Sequence, residues 1–364
     1  MKSLLFTAAL LCALPNAWPA HPADAGAAKP LNVVRSSVNR DRGGTSFTFA
    51  QLTDIHIGEG AGDYGTPGYD DAPPGGDIGG PAKTLRAAVE WINANKDADH
   101  IAFVMVTGDL TASAERSEYL KVKEILDSLS VPYVPLIGNH DVWPYVMTSR
   151  TTYEQAPVPL GDRTFNEVFA PTFRKLAAAF PRWDDGTRLA AVPGKQGSKS
   201  YLENFAFSYR GYRLICLDFN SRSPAGFDFN PEAAIHSHPP GIGPEADRHD
   251  VPAGTVAWLR SELAHNPLKG GRKVLLFAHH PLSKRLIDFI KKSFSIGDYE
   301  RMAKLLRKDG AVALWAAGHI HRDAEYLIKT LGLQDTGVKG IETGALKDGS
   351  LRLITVWGAS TGGR

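Results

Sequence analysis

Residues 47–56 read Phe-Thr-Phe-Ala-Gln-Leu-Thr-Asp-Ile-His. The first six are mostly apolar, aromatic or β-branched, which is typical of a short buried strand. Asp54 and His56 follow where that strand would end. Residues two apart on an extended backbone project to the same side, so these two side chains can share one metal ion. The stretch predicts a buried strand that delivers two metal-binding side chains at its end.

The same pattern of an apolar run followed by a polar ligand recurs four times along the chain. The runs are 101–106, 133–137, 274–277 and 313–317, and the side chains that follow them are Asp109, Asn139, His279, His319 and His321. In open α/β sheets, ligands bind in the crevice outside the carboxyl ends of the strands. We therefore expect these side chains to converge with Asp54 and His56 on one site.

Glycines directly precede two of the polar residues. Gly108 stands before Asp109, and Gly138 stands before Asn139. Glycine lets the backbone turn sharply and approach a ligand closely. The pairs predict tight turns next to the metal site.

Helical patterns alternate with the strands and predict the fold class. Leu85, Ala88, Val89 and Ile92 fall at i, i+3, i+4 and i+7, and a second helix runs from about Ala114 to the break at Pro132. Strands and helices that alternate in this way form βαβ units and a largely parallel sheet, so the fold class is α/β. Residues 206–209 and 213–217 resemble a hairpin, which indicates a second, more antiparallel sheet. Further helices are expected around 165–180, over 255–264 and around 299–307, and terminal strands over 341–344 and 351–357.

Composition limits the classes of protein that this chain can be. The 364 residues are 43% hydrophobic and 22% charged, with a net charge of +2. This content suffices for a large core and is far from that of a disordered chain. The small net charge and the absence of a Lys/Arg run argue against a nucleic-acid partner.

The first 25 residues have the pattern of a signal peptide. Lys2 provides a positive start, Leu4 to Leu14 form an apolar run, and Ala23-Asp24-Ala25 offers a small-residue cleavage site. The run is shorter than the ~20 residues of a membrane-spanning helix, so no stable membrane anchor is expected. We expect an exported, periplasmic or secreted protein with a polar, irregular lead-in over residues 26–46 and a single domain over 47–364. Without the leader Cys216 would be the one remaining cysteine, which excludes an internal disulfide.

The motifs taken together resemble those of the calcineurin-like metallophosphoesterase superfamily, and the chain looks like a bacterial exported member. The motifs are Asp-x-His at 54–56, Gly-Asp at 108–109, Gly-Asn-His-Asp at 138–141, His-x-Pro at 279–281 and Gly-His-x-His at 318–321. The resemblance implies a four-layered α/β/β/α sandwich of two mixed sheets flanked by helices. It agrees with the two sheets inferred from the patterns above.

The resemblance also implies two metal ions, divalent or of mixed valence, with manganese, iron and zinc left open. One ion would be held by Asp54, His56 and His321, the other by Asn139, His279 and His319, and Asp109 would bridge them. His279 is preferred to His280 because the family ligand stands two residues before the proline, here Pro281.

The chemistry that this implies is hydrolysis of a phosphomonoester or phosphodiester, with a metal-bridging hydroxide attacking phosphorus. His140 would act on the leaving-group side as general acid or charge stabiliser. In the pattern typical of protein phosphatases, an aspartate stands at the position of Ala112 and orients the catalytic imidazole. Because this chain has alanine there, the sequence does not identify the hydrogen-bond partner of His140.

Several alternatives stay open from the sequence. The motifs do not separate a small phosphomonoester from a phosphodiester substrate, and a class III cyclic-nucleotide phosphodiesterase is the second enzymatic hypothesis. A non-catalytic, metal-stabilised binding protein of the envelope is the rival from another class. Arg322 could reach a substrate phosphate or form an ion pair, and residues 143–145 (Trp-Pro-Tyr) could line the substrate site or pack. The oligomeric state is not addressed by any motif.

Overall fold

The computed structural model describes residues 27–39, 44–59, 79–142, 161–191, 199–220, 222, 254–265, 271, 273–284 and 294–359. The expected signal peptide over 1–25 and the aromatic segment 143–145 lie outside these residues.

The first sheet has five strands in the order β1-β14-β2-β3-β4. Its strands are β1 (Asn32–Val38), β2 (Thr45–Leu52), β3 (Ile101–Thr107), β4 (Tyr133–Leu136) and β14 (Ser350–Ala359). Strands β2, β3 and β4 are parallel, as the alternating pattern predicts, whereas β14 runs antiparallel to β2 and parallel to β1. Within the expected irregular lead-in over 26–46, residues 32–38 instead form a strand. Strand Asn32–Val38 gains backbone partners from β14, a pairing too distant in sequence for a local pattern to reveal.

The second sheet has seven strands in the order β12-β13-β11-β10-β9-β8-β5. These are β5 (Asp184–Asp185), β8 (Phe205–Tyr209), β9 (Tyr212–Leu217), β10 (Val274–Ala278), β11 (Val312–Ala317), β12 (Ala324–Lys329) and β13 (Asp335–Glu342). The hairpin expected around residue 211 is confirmed, because β8 and β9 pair antiparallel. A separate small hairpin joins β6 (Arg188–Ala191) to β7 (Lys199–Leu202).

Helices cover the outer face of each sheet. They are α1 (Gly79–Asn95), α2 (Arg116–Leu126), α3 (Asn139–Val142), α4 (Gly161–Ala179), α5 (Thr255–Ala264) and α6 (Ile296–Asp309), with a 3₁₀ turn at Leu346–Asp348. The predicted stripe of α1 is buried, and it packs with α2 and α4 on the first sheet. Helices α5 and α6 pack on the second sheet. No helix among the described residues has the length and apolar character needed to cross a bilayer.

A third core lies between the two sheets and makes the architecture a four-layered sandwich of helix, sheet, sheet and helix, as the sequence predicted. Phe49 of the first sheet stacks on Phe103 with ring centroids 5.4 Å apart, and it meets Phe277 of the second sheet edge-on at 5.5 Å. All three rings are fully buried. Burial of each such side chain contributes roughly 1.5–3 kcal/mol, so this contact fixes one sheet against the other.

Candidate metal centre

The loops that follow β2 and β3 run side by side beyond the ends of the strands. The backbone amide of Asp54 donates to the carbonyl of Gly108 at 3.0 Å, and that of Ile55 donates to the carbonyl of Asp109 at 2.8 Å. The amide of Ile57 donates to the carbonyl of Leu110 at 3.0 Å. This backbone ladder brings the Asp-x-His and Gly-Asp motifs together, as parallel strand ends should.

Five of the seven candidate ligands have a left-handed backbone. The φ angles of Asp54, His56, Asp109, His319 and His321 lie between 52° and 68°. This conformation costs an L-residue about 1–2 kcal/mol. Such strain persists where the surrounding structure over-determines it, and it clusters at functional sites.

Glycines make room for these turns, as the Gly-Asp and Gly-Asn pairs predict. A Cβ on Gly108, whose φ is +90°, would lie 2.7 Å from Nδ1 of His279. A Cβ on Gly138 would lie 2.2 Å from the amide nitrogen of Asp109. The same holds at Gly318, ahead of His319, where a Cβ would lie 1.9 Å from a side-chain oxygen. No side chain fits at these positions without displacing the loops that carry the ligands.

The first ligand cluster consists of Asp54, His56, His321 and the shared Asp109. Oδ1 of Asp54 lies 3.1 Å from Nε2 of His321 and 3.9 Å from Nε2 of His56. The Nε2 atoms of the two histidines are 3.4 Å apart, and Oδ2 of Asp109 lies 3.8 Å from Nε2 of His56. Four ligand atoms from three loops therefore surround one point.

The second ligand cluster consists of Asn139, His279, His319 and the same Asp109. Nε2 of His279 lies 3.1 Å from Oδ2 of Asp109 and 3.1 Å from Oδ1 of Asn139. Nδ1 of His319 lies 3.2 Å from the same Nε2. Oδ2 of Asp109 thus borders both clusters, and the seven residues proposed from sequence occupy one site.

The donor set fits a pair of cations. Oδ1 of Asp54 is buried and accepts no hydrogen bond from the described residues, although Nε2 of His321 is only 3.1 Å away. The two groups attract one another, because, against the effect of burial, Asp54 raises the pKa of His321 and His321 lowers the pKa of Asp54. A buried acceptor without a donor is costly, and a bound cation would remove that cost. Imidazole nitrogen together with carboxylate and amide oxygen suits first-row divalent ions.

Neighbouring polar groups fix the orientation of the ligands. Nδ1 of His279 lies 2.9 Å from the carbonyl of Thr107, so the proton sits on Nδ1 and Nε2 is left as the ligand atom. Oδ2 of Asp54 accepts from the hydroxyl of Thr53 at 2.7 Å and from the amide of His319 at 2.9 Å. These bonds aim Oδ1 of Asp54 and Nε2 of His279 into their clusters.

The electrostatics of the clusters reflect buried groups of opposite charge. Burial disfavours the charged form of His279, but the carboxylates of Asp109 and Asp54 outweigh it and raise the pKa of His279 to about 9. Burial lowers the pKa of His56 and of His319 well below their usual range. Neutral imidazoles are the form that binds metal ions.

His140 lies against the first ligand cluster, with a ring nitrogen within 4.8 Å of ligand atoms of His56 and Asp109. Its backbone amide donates to Oδ1 of Asp109 at 2.9 Å, and its ring lies edge-on to that of His56 with centroids 4.6 Å apart. Nδ1 of His140 lies 2.8 Å from the carbonyl oxygen of Ala112. The hydrogen-bond partner of His140, which the sequence did not identify, is therefore the backbone carbonyl of Ala112. Burial lowers the pKa of His140.

Asp141 joins the two loops on either side of the shared Asp109. Its carboxylate accepts hydrogen bonds from the amides of Gly138, Leu110 and Thr111 and from the hydroxyl of Thr111, at 2.8–3.2 Å. Burial and the nearby Asp109 raise the pKa of Asp141 to about 7, against the effect of these donors. The last residue of the Gly-Asn-His-Asp motif thus positions the ligand loops.

Sequence reasoning missed Gln51, whose only signal is a polar residue inside an otherwise buried strand. Its Nε2 donates to Oγ1 of Thr107 at 2.9 Å and to the carbonyl of Ala317 at 3.1 Å. Its Oε1 accepts from the hydroxyl of Thr343 at 2.8 Å. Gln51 is fully buried and connects β2 of the first sheet to the ends of β11 and β13 in the second. Each sheet supplies some of the candidate ligands. The Gln51 amide therefore helps to fix the position of one group of ligands relative to the other.

Three other residues lie near the metal centre: His280, Arg322 and Lys347. His280 packs its ring against that of His319 with centroids 4.4 Å apart, whereas His279 supplies the atom that faces Asp109 and Asn139. Of the two roles considered for Arg322, the ion pair is the one seen, because its Nε donates to the buried carboxylate of Glu342 at 2.8 Å. Lys347, which the motifs do not include, adds positive charge that lowers the pKa of His56 and His140.

A family model described as calcineurin-like phosphoesterase matches residues 47–323. A probable cyclic nucleotide phosphodiesterase of Rhodopseudomonas palustris is 36% identical over 246 residues, which cover 66% of this chain and 64% of that protein. A probable glycerophosphodiester phosphodiesterase of Arcobacter nitrofigilis is 25% identical over 220 residues, covering 60% and 56%. The matches thus span less than two thirds of either relative.

Among solved structures, a dimetal phosphatase from Danio rerio is similar with a TM-score of 0.48 and 16% sequence identity, covering 83% of this chain and 88% of that one.

Proposed function

The chain belongs to the calcineurin-like phosphoesterase family, and on that premise we propose that it is a two-metal phosphoester hydrolase. The observation that carries the proposal is the convergence of seven side chains from five strand ends into two ligand clusters that share Oδ2 of Asp109. A purely structural role would not require two adjacent groups of ligand atoms bordering one carboxylate.

In this proposal Asp54, His56 and His321 would hold one cation, Asn139, His279 and His319 would hold the other, and Asp109 would serve both. When bound, the cations would supply Lewis acidity that activates water and neutralises phosphoryl oxygens. The protein's own contribution is to orient the ligands through Thr53, Thr107 and Asp141. Manganese, iron and zinc all suit the donor set, and reconstitution with each ion in turn would identify the one that supports turnover.

His140 is the residue that would handle the leaving group. Its Nδ1–H is directed to the carbonyl of Ala112, which leaves Nε2 for the departing oxygen. A protonated Nε2 can donate to that oxygen as the ester bond breaks, which is general acid catalysis. The carbonyl partner is compatible with this protonated form because a carbonyl accepts from Nδ1–H in either charge state.

We propose a phosphodiester as the substrate class. Two observations support it. Both curated relatives are named as diesterases. Position 112 is an alanine, where the protein-phosphatase pattern has an aspartate. The test is a panel on purified, metal-reconstituted protein that compares aryl monoesters, aryl diesters, glycerophosphodiesters and cyclic nucleotides. Diesters hydrolysed at least tenfold faster in kcat/KM would support the proposal, and a preference for monoesters would contradict it.

Cyclic-nucleotide hydrolysis is the second candidate, and the 36% identical relative favours it. Cyclic and linear nucleotides in the same panel separate it from general diesterase activity. Stoichiometric metal binding without turnover of any phosphoester would instead favour the non-catalytic binding protein.

We also propose export, to the periplasm or beyond. Lys2, the apolar run Leu4 to Leu14 and the Ala23-Asp24-Ala25 site support it. The test is a fusion of residues 1–30 to a reporter that is active only outside the cytoplasm. The control is the same fusion with Leu10 and Leu11 replaced by arginine, which interrupts the apolar run and should abolish the reporter signal.

A further inference from the structure

A cavity of about 400 Å³ lies between α4 and the β5–β8 edge of the second sheet. Its lining residues come from α4, β5, β8 and the segments beside them, and none belongs to either ligand cluster. A volume of this size is within the range of small-molecule sites, which are roughly 300–1,000 Å³.

One wall of the cavity is aromatic. Trp183 stacks on Phe205 with ring centroids 5.2 Å apart and planes at 14°, and Phe173 meets Phe205 edge-on at 5.2 Å. Phe205 is buried, whereas Trp183 and Phe173 are partly exposed. The faces of aromatic rings carry partial negative charge and attract cations, Trp most strongly.

The acidic group of the cavity is Glu203, whose side chain is almost fully buried at 4% exposure. One carboxylate oxygen accepts from Nδ2 of Asn166 at 3.1 Å, and the other accepts from the hydroxyl of Thr187 at 3.1 Å. Both donors are neutral. Buried carboxylates are normally paired with a cation, because burial of an unpaired charge is costly.

The surroundings of Glu203 compensate its charge only in part, because the guanidinium of Arg222 also faces Asp218 and Asp162. Asp162 and Asp218 are buried nearby, and their carboxylates raise the pKa of Glu203 together with burial, which is the larger cause. In the described part of this network the buried cation is Arg222, which donates to Asp218 at 2.7 Å and to Oγ of Ser200 at 2.6 Å. Three buried carboxyl groups thus surround one guanidinium. The cavity lining also includes one basic and one acidic exposed side chain, Arg174 and Asp185.

We propose that this cavity binds a small organic ammonium ion, with Glu203 as its counter-ion and the rings of Trp183 and Phe173 against its methyl or methylene groups. An aromatic wall and a buried carboxylate that shares its one nearby guanidinium with two other carboxyl groups are the two elements from which we argue ammonium recognition. Neither element takes part in the hydrolysis proposed above, so the two proposals stand or fall separately.

The test is calorimetric titration of the metal-loaded protein with choline and with its uncharged carbon isostere, 3,3-dimethylbutan-1-ol. The titrations are run at pH 8.5, above the pKa of about 8 to which burial raises Glu203. We expect saturable binding of choline and at least tenfold weaker binding of the isostere. Equal binding of the two compounds, or no saturable binding of choline, would overturn the proposal.

The choline affinity of single-residue variants tests whether the ligand binds in this cavity. Glu203→Gln, which keeps the shape of the side chain, and Trp183→Leu should each weaken choline binding about tenfold while metal content stays unchanged. Glu124→Gln, the same change on the exposed face of α2, is the matched control and should bind choline normally. If Glu203→Gln does not fold, Trp183→Leu decides alone, and retention of full choline affinity in Trp183→Leu contradicts the proposed site.

The ammonium group could arrive free or as part of an ester. Titration of an Asp109→Asn variant with glycerophosphocholine and with choline separates these sources by their relative affinity. Tighter binding of the ester points to a substrate group, and tighter binding of choline points to a free ligand. An absence of binding by both compounds counts against the cavity.

Discussion

The hydroxyl of Thr343 donates a 2.8 Å hydrogen bond to Oε1 of Gln51, and this bond joins the second sheet to the first directly beneath the metal centre. Gln51 also reaches Thr107 and the carbonyl of Ala317. Thr107 in turn orients His279 through its own carbonyl. The side-chain amide of Gln51 therefore couples the relative position of the two sheets to the orientation of His279.

We expect Gln51→Leu to weaken both folding and metal binding. Leucine removes the three hydrogen bonds that Gln51 makes to Thr107, Thr343 and Ala317. Each typically contributes about 0.5–1.5 kcal/mol, and the three groups keep their other partners. Loss of such an outer partner also typically lowers metal affinity 10–100-fold. Chemical denaturation and a competition assay with a metal-chelating dye measure the two effects.

Thr48→Val is the matched control for Gln51→Leu. Thr48 lies on the same strand and is buried, and its hydroxyl pairs with that of Thr355 in the first sheet at 3.0 Å. It should lower the free energy of unfolding without changing metal affinity. Equal loss of metal affinity in the two variants would show that Gln51 has no special role in positioning.

Removal of the cations should abolish activity and lower thermal stability. Chelation takes away a ligand that binds the folded state, so the melting temperature falls, and replacement of the ion restores it. Asp109→Asn should reduce the bound metal from two ions to one or fewer per chain, because Asp109 borders both clusters. Elemental analysis of the dialysed protein measures the ratio; two retained ions in Asp109→Asn would refute the shared position.

His140→Ala should slow turnover about 10²–10⁴-fold while leaving both ions bound. A general acid matters most when the leaving group is a poor one. The loss should therefore be greater for an alkyl ester than for a nitrophenyl ester, and kcat on the two substrates measures this difference. Full activity of His140→Ala, or an equal loss on both esters, would contradict the assigned role.

Lys347→Met should raise KM for anionic substrates several-fold with a smaller effect on kcat. Lys347 adds positive charge near His56 and His140, and such charge attracts phosphoesters before reaction. Its Nζ is paired with Glu59 at 2.6 Å, so Glu59→Gln should act in the opposite direction and lower KM. Both effects should shrink at high ionic strength; KM values independent of salt in the two variants would rule out this attraction.

Glu203 gives the folded protein a stability that decreases as pH rises. Burial raises its pKa to about 8, so the folded state retains a proton that the unfolded state releases near pH 4.5. Its contribution is complete below about pH 4.5 and is lost as pH rises toward 8, by at most ~1.4 kcal/mol per pH unit. Glu203→Gln, which cannot ionise, should match the wild type at pH 5 and exceed it in free energy of unfolding at pH 8. Denaturant titrations at both pH values measure this difference, and a constant difference between the proteins would show that Glu203 does not titrate in this range.

The elements with strong local patterns were predictable from sequence, and so was the gathering of the candidate ligands. The apolar runs before Asp54 and Asp109 end where parallel strands share an edge, so the meeting of these residues follows from strand direction alone. The strand Asn32–Val38 was missed because its partner lies more than 300 residues away in the chain. The roles of Gln51 and of the carbonyl of Ala112 also depend on distant backbone groups, which no local pattern encodes.

Strand β14 lies between the edge strand β1 and strand β2 in the first sheet, with hydrogen bonds to both. Closure of that sheet must therefore wait until residues 350–359 have left the ribosome, and a shortened product that stops earlier would expose two open strand edges. Open edges pair readily with other chains. Premature termination or C-terminal proteolysis in this region should thus yield an aggregating species, and not a partly active hydrolase.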